Sequence, residues 1–167
     1  LMQLGGNNNT LQNMALYGGS VAVNVSSTGT TTVRRNVIGT TAASFTDVGA
    51  TRRTADAAVV NSAVVANLIV QENLMGFTGA GVFRANTAGT SLTFDGNEVR
   101  GGAIELPAAD GFAIAVGPWN TVDVTNNLVA AQATNSGIEI WNTVTISSLN
   151  IENNTARGNF WGVLLNI

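Results

Sequence analysis

The sequence predicts an all-β solenoid, a stack of about six coils built from short parallel strands, and three observations carry that prediction. Two apolar residues spaced two apart, an Asn three positions on and an apolar residue two later recur as a unit centred on Asn9, Asn36, Asn73, Asn97, Asn127 and Asn154. The intervals between these asparagines are 27, 37, 24, 30 and 27 residues, the length range of one unit in a stacked repeat fold. A second strand-like segment, usually opened by Gly, follows each Asn at a variable distance.

The first strand of each unit is read from triplets such as Leu92-Thr93-Phe94, Val122-Asp123-Val124 and Leu149-Asn150-Ile151. They place two side chains on one face and one on the other, the period of a half-buried strand, and are too short for helices. In the first two copies, Gly6 and Thr31 break the apolar rule. The two residues before each Asn are polar or Gly, for example Arg34-Arg35, Gln71-Glu72 and Asp95-Gly96, which marks a bend. Asn tolerates the left-handed backbone conformation. Stacked at the strand spacing of about 4.8 Å, identical Asn side chains can also hydrogen-bond in a ladder.

The second strand is expected at Gly19 to Val23, Gly81 to Phe83, Gly111 to Ile114, Gly137 to Ile140 and Gly162 to Leu165. Strand positions are kept while loop length varies, as a solenoid allows on one side. The 37-residue interval carries the largest insertion, expected over 40–54, and the Ala-rich stretch from Ala55 to Ala66 reads either as strand or as a short helix.

With these six copies in register, most clearly Leu92 to Val99, Val122 to Val129 and Leu149 to Ala156, the chain resembles the right-handed parallel β-helix repeat family, the pectin-lyase-like solenoids. The resemblance implies a single β-helix domain over 1–167 with 24–37 residues per coil. A sandwich of short strands is the competing fold, but it has no reason to place Asn at one phase of a repeat.

Enzymes of that family act on polysaccharides, and the resemblance implies for glycosidase members an Asn-Thr-Asp segment, an Asp-Asp pair, a Gly-His-Gly and an Arg-Ile-Lys. None occurs, and the chain contains neither His nor Lys. For lyase members it implies acidic Ca²⁺ ligands and an Arg or Lys base. Stacking the copies puts Asp95, Asp123 and Glu152 on consecutive coils within one strip, where oxygen ligands could hold a hard cation. The same stacking places Arg100 and Arg157 two coils apart, each three residues after its Asn, a separation of about 9 to 10 Å. Arg35 and Glu72 share a phase on neighbouring coils and are expected to pair.

Composition narrows the function classes. The chain is 45% hydrophobic and only 10% charged, with a net charge of −3, which argues against a nucleic-acid partner. No Cys is present to form disulfides or thiolate metal sites. The most apolar stretch, Ala57 to Val70, is interrupted by Asn61, Ser62 and Asn67, so no membrane insertion is expected. Both ends read as interior to a longer chain or as the faces of a stackable subunit. Strand alternation turns Trp141 and Trp161 outward, and Trp119 is expected in the Gly117-Pro118-Trp119-Asn120 loop. All three are candidate interface or glycan contacts.

The resulting expectation is a non-enzymatic structural or adhesive module, without a cofactor, of an extracellular, cell-surface or virion-associated appendage such as a filament, stalk, fibre or spike. It would associate with itself through open ends or sides. The alternative is a polysaccharide-acting enzyme or a glycan-binding module on the same scaffold.

Overall fold

The computed structural model describes residues 2–41, 45–46, 48–49, 52–100, 110–130, 135–141 and 143–166. Nineteen strands run through these described residues in a repeating order of three. The first coil consists of β1 (Met2–Leu4), β2 (Asn8–Gln12) and β3 (Ala15–Leu16), and the second of β4 (Val21–Val25), β5 (Thr30–Arg34) and β6 (Val37–Ile38). The third holds β7 (Ala57–Asn61), β8 (Val65–Gln71) and β9 (Leu74–Gly76), and the fourth β10 (Gly81–Ala85), β11 (Gly89–Asp95) and β12 (Glu98–Arg100). The fifth has β13 (Asp110–Ile114), β14 (Trp119–Thr125) and β15 (Leu128–Ala130), and the sixth β16 (Ser136–Ile140), β17 (Ile146–Glu152) and β18 (Thr155–Arg157). A last strand, β19 (Trp161–Leu165), begins a further turn.

Every strand pairs in parallel with its counterpart one coil away, so the chain forms a seven-stranded first sheet and second and third sheets of six strands each. This is a parallel β-helix of about six coils. Identical positions of successive coils lie over one another, and the interior is a set of apolar columns. One column of the first sheet runs Val23, Val59, Phe83, Phe112, Ile138, Val163. One in the second runs Val33, Val70, Phe94, Val124, Ile151, and one in the third Ile38, Met75, Val99, Val129, Ala156. The rings of Phe83, Phe94 and Phe112 meet at centroid distances of 4.7 to 5.1 Å in the centre of the stack. Full burial of one such side chain is worth roughly 1.5–3 kcal/mol, so the columns supply most of the drive to stack.

Three sequence expectations change here. The stretch Ala55 to Ala66 contains no helix; β7 occupies its centre and β8 begins at Val65. All five residues of β7 are buried, and a strand covered on both faces loses the alternation that distinguishes it from a helix. The first copy of the repeat also slides by five residues. Asn9 pairs with Thr31 and Leu11 with Val33, so Asn9 lies inside β2 and Met14 holds the bend position that Asn36 holds one coil later. The run Asn7-Asn8-Asn9 imitates a bend in sequence. Finally, the left-handed residue of each bend is the one before the expected position: Asn13, Arg35, Glu72, Gly96, Asn126 and Asn153 have φ between 53° and 63°. Of the loop expected over 40–54, residues 42–44, 47 and 50–51 lie outside the described residues, and the described ones belong to none of the strands, as expected of an insertion between β6 and β7.

Candidate functional site

At the corner between the second and third sheets, Asn36, Asn73, Asn97, Asn127 and Asn154 form a continuous ladder. Each side-chain oxygen accepts from the preceding Asn twice, once from its backbone N–H (2.8–3.0 Å) and once from its Nδ2 (2.9–3.1 Å). Each Nδ2 also donates backward to a strand carbonyl: to Leu11, Val33, Val70, Phe94 and Val124 in turn. The ladder begins where the Met14 N–H donates to Asn36 Oδ1 at 3.0 Å. The first four of these asparagines are at most 2% exposed. Buried amides in a dry interior must be satisfied, and here each rung satisfies the next. Asn is therefore required for its side-chain amide, while the backbone strain of the bend falls on its neighbour.

Asn9 has another environment. Its Nδ2 and the hydroxyl of Thr31, adjacent in register, are buried without a hydrogen-bond partner among the described residues. They are the two polar members of a column that continues as Leu68, Leu92, Val122 and Leu149.

The three tryptophans separate. Trp119 is fully buried as the first residue of β14, with its indole N–H donating to the Val116 carbonyl at 3.0 Å. Its place outside the expected loop follows from Gly89, its register partner one coil earlier; a Cβ there would lie 2.3 Å from the indole. The missing side chain of Gly89 makes the space for the ring, so Trp119 is a core residue and no surface contact. Trp141 and Trp161 are 45% and 51% exposed. Ser136 pairs with Trp161 and Ile140 with Leu165, which sets the two indoles about five positions apart along the sheet, roughly 17 Å. They do not form one groove. Against the expected outward turn, Trp161 stands two positions before the inward Val163, in the column of the buried Ser136, and packs edge to face with Phe160 at 5.2 Å.

The acidic strip is also divided. Asp95 and Glu152 share a column two coils apart with Thr125 between them, whereas Asp123 lies in a neighbouring column with Thr93 and Asn150. Asp95 accepts bonds from the Thr125 hydroxyl (2.7 Å) and the Asn126 amide (2.8 Å). No group of three His, Cys, Asp or Glu side chains suited to a metal ion occurs among the described residues. Arg35 and Glu72 pair at 2.6 Å between exposed side chains, an interaction worth about 0–1 kcal/mol.

Arg100 and Arg157 do come together. They stand over and under Ala130 in one column of the third sheet and line, with Gly158, an open depression of 410 Å³. Arg100 is held by Glu98 at 2.6 Å and lies over the Phe45 ring at 5.1 Å. Two arginines whose backbones stand two strand spacings apart, about 9.6 Å, can contact successive anionic groups of an extended ligand.

A carboxyl pair escaped sequence reasoning. Asp110 at the start of β13 is buried, with its carboxyl accepting from the Ser136 N–H at 3.2 Å and hydrogen-bonded to Glu139. Burial first, and the Glu139 charge second, push Asp110 up to about 6, against the weaker opposing pull of the Ser136 bond and Arg84. Arg84 is itself tied to Asp56 at 2.8 Å. Glu139 pairs in register with Ala113, an odd number of positions from Asp110, so strict alternation assigns the two carboxyls to opposite faces.

Among the described residues, several exposed apolar side chains lie on the last coil. Phe160, Trp161, Val163 and Leu165 are 65%, 51%, 44% and 43% exposed, and Leu149 and Ile151 of β17 are only partly buried against the core. Comparison with protein-family models, curated proteins and solved structures found no match to this chain, so what is established is the architecture: a parallel β-helix.

Proposed function

We propose that the chain is a structural or adhesive β-solenoid module of an extracellular appendage, a filament, stalk, fibre or spike, that associates with itself. The observation that carries this reading is the stack of about six parallel coils, tied along one corner by the buried Asn ladder and bearing the 45% exposed indole of Trp141 on its side. Exposed aromatic side chains on a rigid scaffold are the usual anchors of an interface. The low charge and the Asn- and Thr-rich surface agree with a module that depends little on salt. Sedimentation and negative-stain imaging over a concentration series test it. Concentration-dependent oligomers or fibres that dissolve on Trp141→Asp support the reading, and a monodisperse monomer at all concentrations overturns it.

A second reading, contact with an acidic polysaccharide, is favoured by the depression between Arg100 and Arg157. Anionic and neutral glycans offered to the protein and to Arg157→Ala decide it. Anion-selective binding that weakens at least about fivefold in the variant supports it, while equal binding by the variant removes it. Release of unsaturated uronates would move this reading from binding to lyase chemistry.

A further inference from the structure

The three corners of the coil differ in charge. Connections from the second sheet to the third carry Arg35 and Glu72, and those from the third sheet back to the first carry Arg52, Arg53 and Asp56. The six connections from the first sheet to the second, residues 5–7, 26–29, 62–64, 86–88, 115–118 and 141–145, contain none of the seven basic and ten acidic residues of the chain.

This uncharged corner also bears exposed apolar side chains. Val64, Val116 and Trp141, on the third, fifth and sixth of its connections, are 63%, 43% and 45% exposed. Register fixes how they stand to one another. Asn61, Ala85, Ile114 and Ile140 stack on the side of the first sheet, and Val65, Gly89, Trp119 and Ile146 on the side of the second. Successive connections are therefore one strand spacing apart, and those of Val64 and Trp141 are three spacings apart, about 14 Å. The fourth connection between them presents only Asn86, Thr87 and Ala88.

The exposure of Trp141 is lateral. Its N–H donates to the Ile114 carbonyl on one level, and the Asn166 N–H donates to the Ile140 carbonyl on the next. The backbone at Trp141 is thus stacked on both sides while its indole faces outward to solvent.

Interface centres are depleted in charged residues and anchored by Trp, and the chain combines both along this one corner. Two copies with a net charge of −3 each repel one another over most approaches. Corner to corner, they meet with no charge on either connecting segment. A two-fold axis between the fourth and fifth connections exchanges the third with the sixth and the fourth with the fifth. It sets each large indole against the small Val64 side chain of the other copy, and each Val116 against the Thr87–Ala88 connection.

We infer that the corner between the first and second sheets is a homotypic docking surface, on which a second copy of this chain lies antiparallel with Trp141 of each copy against Val64 of the other. The inference rests on the proposed self-association and names its surface. A contact confined to one corner is at the small end of protein interfaces, so it forms as concentration rises.

The chain has no Cys, so Val64→Cys carries a single thiol to which a nitroxide can be attached. Mixed with the isotope-labelled 167-residue chain, the unlabelled nitroxide protein is expected to broaden the Trp141 indole N–H most and to spare the Arg35 and Glu72 amides at the neighbouring corner. Val64→Asp, at an exposed position, is expected to weaken the dimer about tenfold. Broadening centred on Val64 itself or on the Arg35–Glu72 corner, an unchanged dimer in Val64→Asp, or a Trp141 signal that responds to a neutral oligosaccharide and not to protein concentration would each overturn the inference. Oligomers that form without broadening of Trp141 leave self-association standing and overturn this surface alone, whereas a monomer at all concentrations overturns both.

Discussion

The fifth and sixth coils carry the same motif in the same register, yet only one is core. Val122, Val124 and Val129 are at most 1% exposed, whereas their counterparts Leu149, Ile151 and Ala156 are partly exposed. Asn127 is 2% exposed with neighbours on both sides, whereas Asn154 has one only on the side of the fifth coil. In a solenoid, then, the motif specifies position within the coil, and burial comes from having a coil above and a coil below. A residue's energetic weight follows from its place in the stack as much as from its identity.

The largest effect that would break this comparison is a buried charge. Val124→Asp is expected to cost about 4 kcal/mol or more and to unfold the middle coils, because no partner is available in the column. Ile151→Asp is expected to cost about 1 kcal/mol and loosen the last coil only. Denaturant unfolding together with residue-resolved hydrogen exchange distinguishes the two, and equal costs would mean that the last coil is as integral as the fifth.

Ladder deletions sharpen the same contrast at smaller scale. Asn97→Ala leaves the Asn73 N–H, the Val70 carbonyl and the Asn127 Oδ1 each short of a partner inside the stack, and about 2–4 kcal/mol is expected to be lost. Asn154→Ala at the exposed end is expected to lose about 1 kcal/mol. The midpoint of urea unfolding checks both.

A pH dependence centred on Asp110 is smaller than either interior loss. Its folded pKa of about 6 lies above the ordinary 3.8, so the folded state holds a proton that the unfolded chain has released between those values. Stability is then greatest near and below pH 4, falls as pH rises toward 6 and is flat above. Asp110→Asn, which keeps an acceptor for the Ser136 N–H, is expected to flatten that slope and to gain on the order of 1–2 kcal/mol at pH 7. Melting temperatures of the two proteins from pH 4 to 8, measured against the last-coil variant Ile151→Asp as control, read it.

The order of strands and five of the six phases were legible because apolar columns force identical spacing around each Asn. What escaped was set by contacts between coils. Trp119 reads as a loop residue until Gly89, thirty positions earlier, is known to lie beneath it. The first copy misaligned because Asn7-Asn8-Asn9 and Asn13 offer two polar runs, and only the pairing of Leu11 with Val33 and Leu16 with Ile38 selects between them. The left-handed residues at Arg35 and Glu72 carry no sequence signature, since both are residue types that avoid that conformation. Of the candidate site residues, Arg100 and Arg157 were placed by repeat phase alone, whereas Asp110 and Glu139 meet across an odd register offset that alternation hides.

The Asn ladder also gives the molecule an electrical axis. Every rung presents its carbonyl toward the first coil and a donor N–H toward the last, so the side-chain amide dipoles add along the stack rather than cancel. Aligned hydrogen bonds polarise one another, and a column of fixed dipoles ends in a partial positive charge where its last donors emerge. The solenoid thus has a direction along this corner, and each added rung faces the same way as the one before it.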